Sequence, residues 1–267
     1  MRRLLTFSCE DRQLAATLDD GGGSTGLLLV VGGSQTRIGS HRMYERLSKT
    51  LSDKGYPCFR YDRRGVGDSP GEDPGYRASG PDLAAAARAF RAECPALSRV
   101  VGFGLCDGAT TLALFGDEAG LEGAILVNPW LVEADTGELP PAAVRSHYRR
   151  RLASREGWQK LLSGAVDWRK LSRGLRKAWT VHRDAPLAAE VADALRRSAL
   201  PCRLILAAGD ATAAAAVAEL RAPAFTGLIA GRDTIDSDSH TFARVGDEAA
   251  LLAAVERALQ ALAPQAG

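Results

Sequence analysis

The chain has no long apolar run: the longest, Leu27 to Val31 with its flanks, falls far short of the roughly 20 residues a membrane-spanning helix needs, so an integral membrane protein is not expected. Cysteine is sparse and unordered. Cys9, Cys58, Cys94, Cys106 and Cys202 show no C-x-x-C or finger spacing, which argues against a zinc site or disulfide framework and for a reducing, cytoplasmic setting. Only four histidines are present, so any imidazole chemistry must use His41, His147, His182 or His240. There is no phosphate loop, metal-ligand cluster or dinucleotide fingerprint, and no cofactor is expected. The N-terminal stretch has Arg2 and Arg3 but few apolar residues before Glu10 and Asp11, too few for a signal peptide.

What is present is the alternation of an α/β protein. The 267 residues suit one such domain with an insertion. Leu4 to Cys9 and Gln13 to Leu18 form a leading hairpin. Gly26 to Val31 is an apolar run ended by Gly32-Gly33, as in a strand buried on both faces. A helix is expected from Ser40 to Lys54, stopped by Gly55, and another from Pro81 to Cys94. Further strands are expected at Tyr56–Tyr61, Gly123–Val127, Cys202–Ala208 and Phe225–Gly231, with a last helix at Glu248–Leu262. Such alternation implies right-handed crossovers and a mainly parallel sheet with helices on both faces, its ligands bound at the carboxyl ends of the strands. Between Leu131 and Leu200 the alternation stops. Residues 131–200 are read as a helical cap inserted into a core made of 1–130 and 201–267.

The segment Arg99–Thr111 carries the sharpest signal. Val100-Val101 reads as strand, Gly104-Leu105-Cys106-Asp107-Gly108 as a tight turn, and Ala109 to Phe115 as helix. G-x-C-x-G is the cysteine form of the nucleophile elbow. Glycines two positions either side allow strand and helix to approach while the elbow residue adopts unfavourable angles. A thiol there sits at a helix N-terminus, which favours the attacking thiolate. The bland alternative is a core cysteine between packing glycines.

Three further parts bear on that choice. His240, in the polar loop Asp236–Phe242 before the last helix, is the candidate base, while His147 and His182 lie in the basic insertion. Asp210, after the strand Cys202–Ala208, is the candidate acid, though an aspartate there also suits a helix N-cap. The order Cys106, Asp210, His240 is nucleophile, acid, base, as the α/β-hydrolase arrangement requires. Asp236 and Asp238 are fallback acids. The oxyanion donors are expected from the backbone N–H of Asp107 and of Ser34, where Gly33 lets the loop approach. Gly33, His41 and Trp130 are candidate substrate contacts, with a solvent-facing helix-start histidine the alternative for His41.

Taken together, Gly32-Gly33-Ser34-Gln35, Gly39-Ser40-His41-Arg42, Tyr61 to Ser69, Gly104 to Ala109, Asn128-Pro129-Trp130 and Asp238 to Phe242 resemble the exosortase A system-associated hydrolases of type 1. The resemblance covers nearly the whole chain. Ser34 stands where the pattern has proline. It implies an α/β-hydrolase with a cysteine nucleophile, encoded with bacterial exopolysaccharide and protein-sorting genes. A thiolate with imidazole and oxyanion hole forms an acyl-enzyme from an ester or thioester, from a small-molecule or carrier-bound acyl substrate. Transfer of the acyl group to a sugar or amine uses the same parts, and a low-turnover binding or scaffold protein on this fold is the reading from another class.

Charge is unevenly spread. Arg145 to Arg183 holds twelve basic residues against Glu156 and Asp167, a net of +10 in a chain whose total is +2. All four tryptophans, Trp130, Trp158, Trp168 and Trp179, fall at or within the insertion. A solvated cap is one reading; arginines and aromatic anchors holding an anionic partner, such as a phosphate-bearing acyl carrier or lipid surface, is the sharper one. No nucleic-acid-binding motif is present, so no such partner is expected.

Overall fold

The computed structural model describes residues 1–132 and 186–263. Eight strands form one sheet: β1 (Arg2–Cys9), β2 (Arg12–Asp19), β3 (Thr25–Val30), β4 (Cys58–Tyr61), β5 (Arg99–Leu105), β6 (Gly123–Val127), β7 (Cys202–Ala207) and β8 (Gly231–Ile235), in the order β1-β2-β4-β3-β5-β6-β7-β8. The hairpin β1–β2 is antiparallel, and β2 pairs antiparallel with β4; every other pairing is parallel. This is the α/β-hydrolase fold, with β5 in the middle of the sheet.

Side-chain alternation builds the two faces. Along β3, Leu28 and Val30 enter one core cluster while Leu27 and Leu29 enter the other. The first cluster is covered by α2 (Gly80–Glu93) and α3 (Asp107–Phe115), through residues such as Phe90, Ala109 and Leu112. The second is covered by α1 (Met43–Asp53) and the last helix, Asp247–Ala261, through Tyr44, Leu47, Leu251 and Val255. Each fully buried Leu or Phe contributes about 1.5–3 kcal/mol.

On β5 the first face reads Val100, Gly102, Gly104, and the glycines are there for space. A Cβ on Gly102 would come within 2.5 Å of Leu112 Cδ2, and one on Gly104 within 2.5 Å of the Gly108 carbonyl oxygen. Across the same junction a Cβ on Gly108 would meet the Val30 carbonyl oxygen at 2.5 Å. Strand β3, strand β5 and helix α3 therefore touch backbone to backbone at the elbow.

Three expectations need correction or narrowing. The expected strand Phe225–Gly231 is instead a 3-10 turn, Pro223–Phe225, followed by a turn at Gly227 (φ 77); the strand begins where the expected one ended, at Gly231. Phe225 owes its apolar signal to burial under a helix layer. The real β8, an edge strand reading Gly-Arg-Asp-Thr-Ile, has only Ile235 buried and no apolar run to betray it. The helix expected from Ser40 starts at Met43, because His41 and Arg42 have φ of 42 and 65. Finally, α4 (Pro186–Arg197), placed by the sequence in the insertion, packs Leu187, Val191 and Leu195 into the first core cluster. Residues 133–185, with His147, His182, Trp158, Trp168, Trp179 and the basic run, lie outside the described residues. Among the described residues no helix is long and apolar enough to cross a membrane.

Candidate active site

The chain leaves β5 at Leu105, turns at Cys106 and enters α3 at Asp107. Cys106 has φ 60 and ψ −125, a conformation that costs an L-residue on the order of 1–3 kcal/mol. The surroundings hold it there: its N–H donates to the Val127 carbonyl at 3.0 Å, and its own carbonyl accepts from Ala109 and Trp130 N–H, both at 3.1 Å. The thiol is partly exposed, whereas Cys9, Cys58, Cys94 and Cys202 are buried, and all five are free. Burial pushes the Cys9 and Cys94 thiols up to about 11 and that of Cys202 to about 12, so those are poor nucleophiles near neutral pH.

His240 reaches over the elbow from the loop after β8. Its Nδ1 lies 2.9 Å from Asp210 Oδ2. Burial works against an imidazolium, but the hydrogen bond to Asp210 and the electrostatic influence of Asp210 and Cys106 outweigh it, raising His240 to about 10. Asp210, 7% exposed, sits at the start of α5 (Ala211–Glu219). Asp210 also caps this helix through the same atom: Oδ2 accepts the Ala213 N–H at 2.9 Å. Asp236 and Asp238 are exposed, and Asp238 pairs with Arg244 at 3.4 Å; Asp210 is the carboxylate on His240 Nδ1.

The loop after β3 packs against the elbow. A Cβ on Gly32 would fall 3.3 Å from Cys106 Cβ, so this backbone lies directly against the elbow. Gly33 has φ 57 and its N–H donates to Asp107 Oδ1 at 2.5 Å. The Gln35 N–H closes a turn on the Gly32 carbonyl at 3.3 Å. Ser34 lies exposed between them. Asp107 stands at the first position of α3, where backbone N–H groups have no partner inside the helix.

His41 is brought to the site in a different way from that expected. Its Nε2 is 2.9 Å from the Thr241 carbonyl and its Nδ1 3.2 Å from Arg46 Nη2, an arrangement that needs the proton on Nε2. It ties the loop after β3 to the one carrying His240. Trp130 is half-buried against the first core cluster, and its carbonyl accepts the Thr110 hydroxyl at 2.6 Å.

Sequence reasoning gave no role to Asn128, which is fully buried at the end of β6 with φ 41. Its Nδ2 donates to the His240 carbonyl at 3.1 Å and its Oδ1 accepts the Ala207 N–H at 2.8 Å, joining the histidine loop to the strand that leads to Asp210. The signal was an asparagine before proline at a strand end, a residue that tolerates positive φ. Ser237 donates to Asp247 at 2.6 Å and accepts from Ser239 N–H at 3.1 Å, bracing the same loop.

An elbow residue at the end of the central strand, a histidine and an aspartate in this order on this sheet define the α/β-hydrolase class. The sequence profile of the family described as serine aminopeptidase, S33 matches residues 26–255, and the chain belongs to that family. The family description specifies serine; this chain has Cys106 at the elbow. No curated protein matches the chain. Similar solved structures include an esterase from Pyrococcus furiosus (14% identity, 97% of this chain and 91% of that one, TM-score 0.65). Others are a ferulic-acid-bound protein from Butyrivibrio proteoclasticus (15%, 97% and 99%, 0.62) and dienelactone hydrolase from Anabaena variabilis (13%, 96% and 95%, 0.62). At these identities the likeness is one of fold.

Proposed function

We propose that the protein cleaves an ester or thioester through an acyl-enzyme on Cys106, with His240 as acid-base and Asp210 as its orienting carboxylate. The observation that carries this reading is the hydrogen bond between His240 and Asp210 together with a partly exposed thiol on a strained elbow. His240 takes the Cys106 proton, and Sγ attacks the acyl carbon. The carbonyl electron pair moves onto oxygen, where the Asp107 and Ser34 N–H groups stabilise it. Collapse expels the alcohol or thiol, which takes its proton from His240. Water, deprotonated by His240, then attacks the thioester; the second tetrahedral species releases the carboxylic acid and the proton returns to Sγ. Gly33 and Trp130 line the approach to the acyl carbon. Esterase and dienelactone hydrolase neighbours of the same fold support this substrate class.

The resemblance to exosortase A system-associated hydrolases supports a link to a bacterial exopolysaccharide and protein-sorting system, and five free thiols are in keeping with a cytoplasmic enzyme. The basic stretch Arg145 to Arg183 of the insertion 131–200 is the part that would meet an anionic group on the substrate's carrier. The test is steady-state hydrolysis of acyl thioesters, aryl esters and aminoacyl amides at low and moderate salt. The account expects turnover of thioester or ester that vanishes in Cys106→Ala and falls severalfold as salt rises. Cleavage of amides alone would overturn it in favour of a peptidase, and a salt-independent rate would remove the anionic carrier.

A further inference from the structure

The side chain of Asp107 has no part in the chemistry above, yet it stands beside the reacting centre. Its Oδ1 accepts the Gly33 N–H at 2.5 Å, and its Oδ2 is 3.9 Å from Arg63 Nη1. Arg63 is itself buried, 6% exposed, and anchored on its other side to Asp73 at 2.8 Å. The carboxylate is thus fixed between a buried guanidinium and the one loop that must supply the second oxyanion donor.

We propose that Asp107 is a positioning residue that clamps the oxyanion loop through the Gly33 N–H. The inference rests on the acyl-enzyme reading and deepens it. Loop N–H groups are accounted for in turn: Gly33 gives its proton to Asp107, and Gln35 gives its own to Gly32. The Ser34 N–H between them is left with no partner among the described residues, and both its flanks are pinned. Two adjacent glycines would otherwise leave this segment free to rotate, since each opens backbone conformations that other residues avoid. A donor that reorganises during the reaction loses most of the benefit of an oxyanion hole, which comes from being oriented beforehand. A negative charge this close to a developing oxyanion opposes it, and Arg63 with the Gly33 N–H offsets that charge. The useful property of Asp107 is therefore its acceptor oxygen, not its charge.

That distinction is testable, because Asp107→Asn keeps an acceptor oxygen and Asp107→Ala does not, while both lose the same charge at the start of α3. Two reactions of Cys106 are compared. Acylation by a short-chain acyl thioester passes through an oxyanion; alkylation by iodoacetamide does not. Asp107→Ala should slow acylation on the order of 10²-fold, mainly in kcat, with alkylation within about threefold of the parent. Asp107→Asn should stay within about fivefold of the parent in both, and hydrogen exchange at Gly33 should accelerate in the alanine variant only. Acylation by Asp107→Ala at the parent rate, or equal loss in both variants, would overturn the proposal. A parent that neither forms a Cys106 adduct nor turns the thioester over would instead sink the acyl-enzyme reading, and the Gly33 exchange rates would still decide whether the clamp exists.

Discussion

The middle of the sheet and its carboxyl rim are built by opposite rules. In the middle, β3, β5 and β6 carry mainly apolar residues and glycines in regular extended conformation, buried beyond the first residue of β3 and β5. At the rim, residues are polar and backbone angles are strained. Six non-glycine residues have positive φ among the described residues; Glu10 turns the hairpin, and the other five, His41, Arg42, Cys106, Asn128 and Phe242, belong to the elbow or the loops around it. The interior supplies the stability that lets the rim hold such conformations, each costing on the order of 1–3 kcal/mol.

That contrast breaks if rim and interior substitutions have the same consequences. The largest expected separation is at Asp210. Asp210→Asn keeps an oxygen for the Ala213 N–H cap but no longer holds the imidazole as an imidazolium partner, so acylation should fall on the order of 10²–10⁴-fold with the fold intact. Stability should change its pH dependence at the same time. His240 has its value raised from 6.5 to about 10 in the folded state, so its contribution is fully present below pH 6.5 and is lost as pH rises through about 10. Thermal unfolding followed across that window should show a decline in the parent that is flattened in Asp210→Asn; a decline of equal depth in both would assign it to other groups.

The interior member of the comparison is Leu112, fully buried beneath β5 against Gly102. Leu112→Ala should cost about 2–5 kcal/mol in denaturant unfolding while the folded fraction acylates at the parent rate. Asn128→Ala sharpens the contrast from the rim. It leaves the Ala207 N–H without its acceptor, a loss of about 1–3 kcal/mol, and also frees the His240 loop, so acylation should drop along with stability. If Leu112→Ala lowered acylation as much as Asn128→Ala does, the division between rim and interior would fail.

The same division explains what could be read from the amino-acid sequence. Apolar runs closed by glycine, such as Gly26–Val31 and Arg99–Leu105, announce buried parallel strands, and the glycine pair around Cys106 announces the elbow. The grouping of Cys106, Asp210 and His240 around one elbow could be read because each of the three follows a strand of the sheet. Strand β8 could not, since an edge strand with one buried residue has no apolar period. Nor could the hydrogen bonds of Asn128, the His41 ring and the Asp107 carboxylate. Each depends on contacts between segments far apart in the chain: Asn128 meets His240, His41 meets Thr241, and Asp107 meets Gly33. Local pattern carries no record of such meetings.

The most direct measurement is the intact mass of the protein after brief exposure to an activated short-chain acyl thioester at neutral pH, made on the parent, Cys106→Ala and His240→Ala. The account predicts an acyl adduct, or rapid turnover, that is lost in both variants while the four buried thiols stay unmodified. An adduct that persists in Cys106→Ala, or a Cys106 no more reactive than Cys9, Cys58, Cys94 or Cys202, would contradict it.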